Sequence, residues 1–190
     1  MTDHDRLVEL LAARSARRGS FTLASGRQST LYIDARLTTM SPDGLSLIGP
    51  AGLAALRASG WAVQAVGGMT LGADPISYAI SYASAASIPP LRAFTVRKEA
   101  KQHGAGRLIE GPFQAGDRVA IVEDVITTGG SALRAIETVR NAGGIVAGVL
   151  ALVDREEGGR EALEAAGFPV LVLTRASDIM TRVPSASLSE

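Results

Sequence analysis

Residues 119–131 read Val-Ala-Ile-Val-Glu-Asp-Val-Ile-Thr-Thr-Gly-Gly-Ser, an order that few folds can accommodate. The apolar residues 119–122 ask to be a buried strand. Two carboxylates, Glu123 and Asp124, arrive at its carboxyl end, and Thr127, Thr128, Gly129, Gly130 and Ser131 lead into a helical pattern from about Ser131 to Ala142. A buried strand that turns at once into a helix is the unit from which parallel sheets are built, because parallel neighbours need a crossover connection.

The same turn is chemically loaded. Free N–H groups at a helix start, with the positive end of the helix dipole, make a site for an anion. Glycines let the backbone wrap a phosphate, and the hydroxyls of Thr127, Thr128 and Ser131 add donors. This is not a Walker loop, since no lysine follows the glycines. Two carboxylates beside a phosphate cradle would repel the phosphate unless they had partners of their own. The vicinal hydroxyls of a ribose are suitable, because a carboxylate accepts strongly from a diol. A 5-phosphoribosyl group carries both features at the right separation. The plainer alternative is a turn capped by Thr and Ser with two solvated acids, but a cap does not need so many coincident features.

The rest of the chain repeats the alternation. The spacing predicts a helix from Asp5 to Arg17 ended by Gly19, short β pieces from Phe21 to Ala35 broken at Ser25-Gly26, and a helix from Leu45 to Ser59 closed by Gly60. A strand at Ala62 to Val66 runs into the turn Gly67 to Gly72. A helix follows from about Asp74 to Ala86, with Pro75 in its first turn. After Pro89-Pro90 comes a strand at Leu91 to Val96, a long polar loop at Arg97 to Gly111, and the strand at Arg118 to Val122. Ile145 to Val153 is a strand, Arg160 to Ala166 a short helix, Val170 to Leu173 a strand, and Pro184 to Glu190 a tail. The expected fold is α/β, a mainly parallel twisted sheet flanked by helices, in one domain spanning 1–190. Ligands of such sheets bind beyond the carboxyl ends of the strands. The stretches 67–75, 97–107 and 123–131 each follow an expected strand, so they should converge on one edge.

Charge adds one sharp detail. The chain has 19 basic and 19 acidic residues, which argues against a nucleic-acid partner held by general electrostatics. Only Lys98 and Lys101 are lysines; the other basic residues are arginines, and His103 lies beside the pair. Lysine is a compact mobile ammonium where arginine is a planar fork, so this clustering marks a stretch with its own task. A solvated polar loop is the plain alternative. There are no cysteines, which excludes disulfides and thiolate chemistry and fits a reducing compartment such as the cytoplasm. The first twenty residues are broken by charges and read as no signal peptide. The apolar run 145–153 is far short of the roughly 20 residues of a membrane helix.

On these residues the chain resembles the type I phosphoribosyltransferases, whose signature is a hydrophobic strand, two acids and a Thr/Gly loop that binds 5-phosphoribosyl 1-diphosphate (PRPP). Three more segments resemble the orotate phosphoribosyltransferases among them: Phe21 to Arg36 (FTLASGRQSTLYIDAR), Arg97 to Gly104 (RKEAKQHG), and Asp154-Arg155. The resemblance implies a small N-terminal hood, made of about residues 1–40 plus C-terminal elements. It implies transfer of the phosphoribosyl group to orotate in pyrimidine biosynthesis. PRPP would be bound by Arg97, Lys98, Lys101, His103, Glu123, Asp124, Val125, Ile126, Thr127, Thr128, Gly129, Gly130 and Ser131, with Lys101, His103 and Asp124 catalytic. Orotate would meet Tyr32, Ile33, Thr127 and Arg155; for Arg155 a surface ion pair with a nearby Glu is the plain alternative. Mg²⁺ would be held through PRPP and water with no direct protein ligand. A homodimer sharing the 97–104 loop across subunits is implied, without nucleic acid or membrane. Two positions depart from the commoner pattern, Ala24 and Leu71, where many members carry phosphate-contacting lysines. The N–H groups of residues 68–72 and the Thr70 hydroxyl are the expected substitutes. Another base as acceptor, or a PRPP-sensing regulator without activity, are the competing readings.

Overall fold

The computed structural model describes residues 1–22, 28–99 and 108–183. Helix α1 (Asp3–Leu10) is closed at its start by a reciprocal cap between Thr2 and Asp5. It passes through a wider π-type turn (Leu11–Ser15) into strand β1 (Ala16–Thr22), which pairs antiparallel with β2 (Gln28–Ile33). The helix expected to reach Arg17 therefore stops early. Pairing of Ala16 with Ile33 and of Arg17 with Tyr32 outweighs the local helical preference. A short helix α2 (Arg36–Thr39) leads to α3 (Pro42–Ala58), which Ser41 caps by accepting from the Gly44 N–H.

The main sheet contains β3 (Ala65–Met69), β4 (Arg92–Val96), β5 (Ile109–Glu110), β6 (Arg118–Ile126), β7 (Ile145–Asp154) and β8 (Val170–Arg175), in the spatial order β5-β4-β3-β6-β7-β8. All neighbours are parallel except β5, a two-residue strand antiparallel to β4 in what the sequence presents as loop. Helices α4 (Ala73–Ala83), α5 (Gly130–Asn141) and α6 (Gly159–Ala165) connect the strands, and α7 (Ala176–Arg182), which carries no clear sequence signal, ends the described chain. Two strands differ usefully from expectation. β3 begins at Ala65 because Ala62 takes a left-handed turn (φ 49°), so Gly67 and Gly68 lie inside the strand. β6 runs on to Ile126, pairing with β7 as far as Asp154, so the two acids sit within a strand rather than beyond it.

Both faces of the sheet are dry. Val66, Ala120, Val122, Leu150 and Leu152 pack beneath α1, α3 and α4, while Ala65, Val119, Ile121, Val149 and Ala151 pack beneath α5 and α6. That double burial is why the strands read as continuous apolar runs instead of alternating ones. Each large side chain removed from water contributes roughly 1.5–3 kcal/mol, so the sheet is a rigid platform for its edge. The chain ends are tied together: Arg182 donates to the Asp5 carboxylate at 2.8 Å, and Arg18 donates to the Met180 carbonyl at 2.6 Å. No helix among the described residues is long and apolar enough to cross a membrane.

Candidate active site

At the carboxyl ends of β3, β4 and β6 a cavity of about 510 Å³ opens. It is lined by residues 32–36 of the segment after β2, residues 69–72 after β3, Lys98 after β4, Glu123, Asp124 and Val125 of β6, and Ser131 and Arg134 of α5. Residues 69–72, Lys98 and the 123–131 stretch thus meet where adjacent strand ends place them, while residues 100–107 lie outside the described residues.

Glu123 and Asp124, neighbours near the end of β6, both line this cavity. Glu123 lies toward α5, where the Arg134 charge favours its ionised form, yet burial and the neighbouring Asp124 push its carboxyl up to about 8. Its Oε2 is buried and has no hydrogen-bond partner among the described residues. Such an atom is costly unless a ligand or water supplies a donor. Asp124 is also raised by burial, against the Val125 N–H that donates to its Oδ1 at 2.9 Å and against the Arg36 charge. The turn after β3 packs tightly on it. A side chain on Gly72 would place its Cβ 2.6 Å from the Asp124 carboxyl carbon.

The Thr127–Ser131 segment turns from β6 into α5 as its composition requires. Gly129 sits at φ 80° as the residue preceding the helix, and its Cα approaches the Gly159 carbonyl so closely that a Cβ would lie 3.0 Å from the oxygen. The N–H groups opening α5 have no intrahelical carbonyl to bond. Ser131 lines the cavity and its Oγ accepts from Arg134 Nη2 at 3.3 Å. Ile126 is buried beneath the turn, and Thr128 and Gly130 are exposed on it.

Other expected residues are distributed more widely. Tyr32, Ile33 and Lys98 line the cavity. Arg97 turns aside, its Nε donating to the Glu99 carbonyl at 3.3 Å and its Nη1 lying 3.8 Å from Glu110. Lys101, His103 and Ala24 lie outside the described residues. Arg155 is buried at a smaller cavity of about 230 Å³ on the far side of β2, where Nη2 donates to Ser29 Oγ, the Leu31 carbonyl and Glu157 Oε1 at 3.0, 2.9 and 2.7 Å. Its Nε is buried without a partner among the described residues. The ion pair with a nearby Glu is thus present, but buried rather than at the surface, and neither Arg155 nor Thr127 lines the larger cavity.

The Thr70 hydroxyl does not serve as expected. It donates to Asp74 Oδ2 at 2.7 Å, and Thr95 donates to the other oxygen at 2.8 Å, so its one proton is committed to holding the turn. Sequence reasoning missed Asp34, Arg36 and Arg134 as cavity residues. Arg134 had a readable signal, three positions beyond Ser131 on the same helix face. Arg36 had none.

No family model matches the chain. It is 44% identical over 183 residues to the orotate phosphoribosyltransferase of Aquifex aeolicus, covering 95% of this chain and 99% of that protein. The crystal structure of Mycobacterium tuberculosis orotate phosphoribosyltransferase in complex with Fe(III) dicitrate matches with a TM-score of 0.81 at 43% identity, covering 94% of this chain and 99% of that one. The structure of the same enzyme in complex with PRPP matches with a TM-score of 0.78 at 40% identity over the same shares.

Proposed function

The chain belongs to the orotate phosphoribosyltransferase family, and we propose that the cavity over residues 123–131 is where its reaction takes place. The protein is an enzyme that transfers the 5-phosphoribosyl group of PRPP to orotate, giving orotidine 5′-monophosphate and pyrophosphate, in pyrimidine biosynthesis. The observation that carries the site reading is one cavity holding Glu123, Asp124, Ser131, Lys98, Tyr32 and Ile33 together.

A ring nitrogen of orotate attacks the anomeric carbon of the ribose as the bond to the diphosphate oxygen breaks; its electron pair leaves with pyrophosphate, and the proton of that nitrogen is released to the diphosphate or to water. Positive charge builds on the sugar and negative charge on the leaving group. In our reading Glu123 and Asp124 accept from the ribose hydroxyls, which supplies the donor that the buried Glu123 oxygen lacks. Asp124 also faces the developing positive charge. The N–H groups and hydroxyls of Thr127 to Ser131, the turn that follows Val125 and Ile126, hold the 5-phosphate. Orotate stacks along Tyr32 and Ile33, with Thr127 and the buried Arg155 reading its polar edge. Arg97, Lys98, Lys101 and His103 neutralise the departing diphosphate in a site closed to water, with Lys101 the principal catalytic cation.

Mg²⁺ fits this donor set. It binds through one or two carboxylates with phosphate oxygens and water, and Glu123 and Asp124 line the cavity. The ion would be held mainly by PRPP and water, near Asp124 and Glu123, and would neutralise diphosphate charge.

We further read the active form as a cytoplasmic homodimer sharing the 97–104 loop, with the hood formed by residues 1–40 and the C-terminal elements. Support for the dimer comes from a groove of about 710 Å³ between α3 and α4, walled by Met40, Leu45, Pro50, Leu71, Tyr78 and Tyr82. Tyr82 is 85% exposed and Leu71 60%, an apolar area of the kind that partners cover. Leu71 lines the reaction cavity as well, so a second copy seated there borders the site.

The decisive test is loss of orotate absorbance that depends on both PRPP and Mg²⁺, run beside uracil, hypoxanthine and adenine. Orotate alone should be consumed at a substantial rate. Equal or better turnover of a purine would refute the assignment of the base.

A further inference from the structure

PRPP carries a monophosphate at one end and a diphosphate at the other, and a single backbone nest serves only one of them. The turn 67–72 on the opposite wall has no basic side chain, and its Thr70 hydroxyl is committed to Asp74. Among the described residues three cations line the cavity: Lys98, Arg134 and Arg36. Arg134 already acts on Glu123 and donates to Ser131, which places it on the α5 side with the nest. Arg36 stands on the wall formed after β2, close enough to Asp124 for its charge to act on that acid.

The setting of Arg36 is unusual for a half-exposed arginine. Its Nε and Nη2 donate to the two oxygens of Asp34 at 2.8 and 2.9 Å, and its own N–H donates to Asp34 Oδ1 at 3.1 Å. The Asp34 side chain is only 21% exposed, so the acid is a fixed post. This uses one edge of the guanidinium and orients the rest. Among the described residues the Nη1 edge has no partner, which leaves it available to an anion. A planar fork held in place loses little entropy when a phosphate arrives.

We propose that Arg36, aligned by Asp34, is a diphosphate-binding residue for PRPP and for the pyrophosphate product, and that it supplies from the β2 wall the fixed cation that the 67–72 turn lacks. Asp34 is the positioning residue. The proposal rests on reading the cavity as the PRPP site. The plainer view is a surface ion pair of neighbours in sequence, which would contribute little to anything.

The test is steady-state kinetics of Arg36→Gln, with calorimetric titration of inorganic pyrophosphate in the presence of Mg²⁺. Loss of a charge-assisted contact should raise the KM for PRPP and weaken pyrophosphate binding by about tenfold or more. The KM for orotate should be unchanged. Arg36→Lys, which keeps the charge and loses the fork, should fall between, and it carries the test should the glutamine variant fold poorly. Asp34→Asn should raise the PRPP KM by a smaller factor in the wild-type background and by nothing in the Arg36→Gln background. A PRPP KM within twofold of wild type in a folded Arg36→Gln protein overturns the proposal, as does a rise confined to orotate. Additive effects of the two substitutions overturn the positioning role. Wild-type protein that binds no pyrophosphate and turns over no orotate would instead remove the reading of the cavity, and this proposal with it.

Discussion

Glu123 shows what folding does to one carboxyl at this site. The ordinary value of such a group is 4.5, and burial beside Asp124 raises it to about 8. Between those values the folded protein retains a proton that the unfolded chain has released, so folding stability falls as pH rises from about 4.5 to 8 and the full cost is present above 8. Glu123→Gln cannot ionise and escapes that cost. Urea unfolding should show the variant gaining roughly 2 kcal/mol on wild type between pH 5.5 and pH 9, a figure below the full shift because water enters the open cavity. An equal pH response in the two proteins would mean that the carboxyl ionises freely. The substrate makes the opposite demand. Ribose hydroxyls donate to the ionised form, so PRPP affinity should rise from pH 6 to pH 8 with release of a proton. In Glu123→Gln that slope should flatten to the residual titration of PRPP itself, as measured by calorimetry in buffers of different ionisation enthalpy.

The turn after β3 depends on the absence of side chains. At Gly72 a Cβ would meet the carboxyl carbon and oxygens of Asp124 at 2.6 to 2.7 Å, so Gly72→Ala must push that carboxylate aside. Gly68 is different, because its Cβ would strike the Val122 carbonyl of the neighbouring strand, and backbone yields less easily than a side chain. Gly68→Ala should therefore lose about 2–3 kcal/mol in urea unfolding. Gly72→Ala should unfold within about 1 kcal/mol of wild type while its kcat drops roughly a hundredfold. Comparable stability losses in both would show that the turn is a structural joint and no more. These elements also mark how much could be read in advance. The 119–131 unit was legible because strand, acids, loop and helix are contiguous, and the meeting of residues 69–72, Lys98 and Glu123 to Val125 followed from the parallel order of β3, β4 and β6. Strand β1 was not legible, since Ala16 to Arg18 become strand only through pairing with β2, on the other side of the 23–27 segment. Arg36 and Asp34 were not legible either. Their value comes from where the β2 wall crosses the sheet edge, a distance in space with no counterpart in spacing along the chain. The Thr70 hydroxyl looked free for the same reason, because its partner network runs through Asp74 to Thr95 on another strand.

At the scale of the whole molecule the question is whether one chain contains a whole site. Glu123 and Asp124 belong to the sheet edge of their own chain, whereas Lys101 and His103 belong to the loop that we read as reaching a neighbouring subunit. If so, two inactive variants must complement each other. Lys101→Ala supplies intact acids with a defective loop, and Asp124→Asn supplies the reverse. Mixed at equal amounts and allowed to exchange subunits, half the dimers are hybrids, and each hybrid holds one site with both defects and one with neither. Activity should recover to about a quarter of wild type, from two proteins that are nearly inert alone. A loop acting within its own chain predicts no recovery at any mixing ratio, because every site would carry one defect. The apolar groove between α3 and α4 supplies the control. Tyr82→Glu sets a charge on a side chain 85% exposed in the single chain, so it should leave folding intact while sedimentation velocity shows dissociation. Introduced into both partners, it should abolish the recovery, because hybrid sites cannot form between chains that no longer associate.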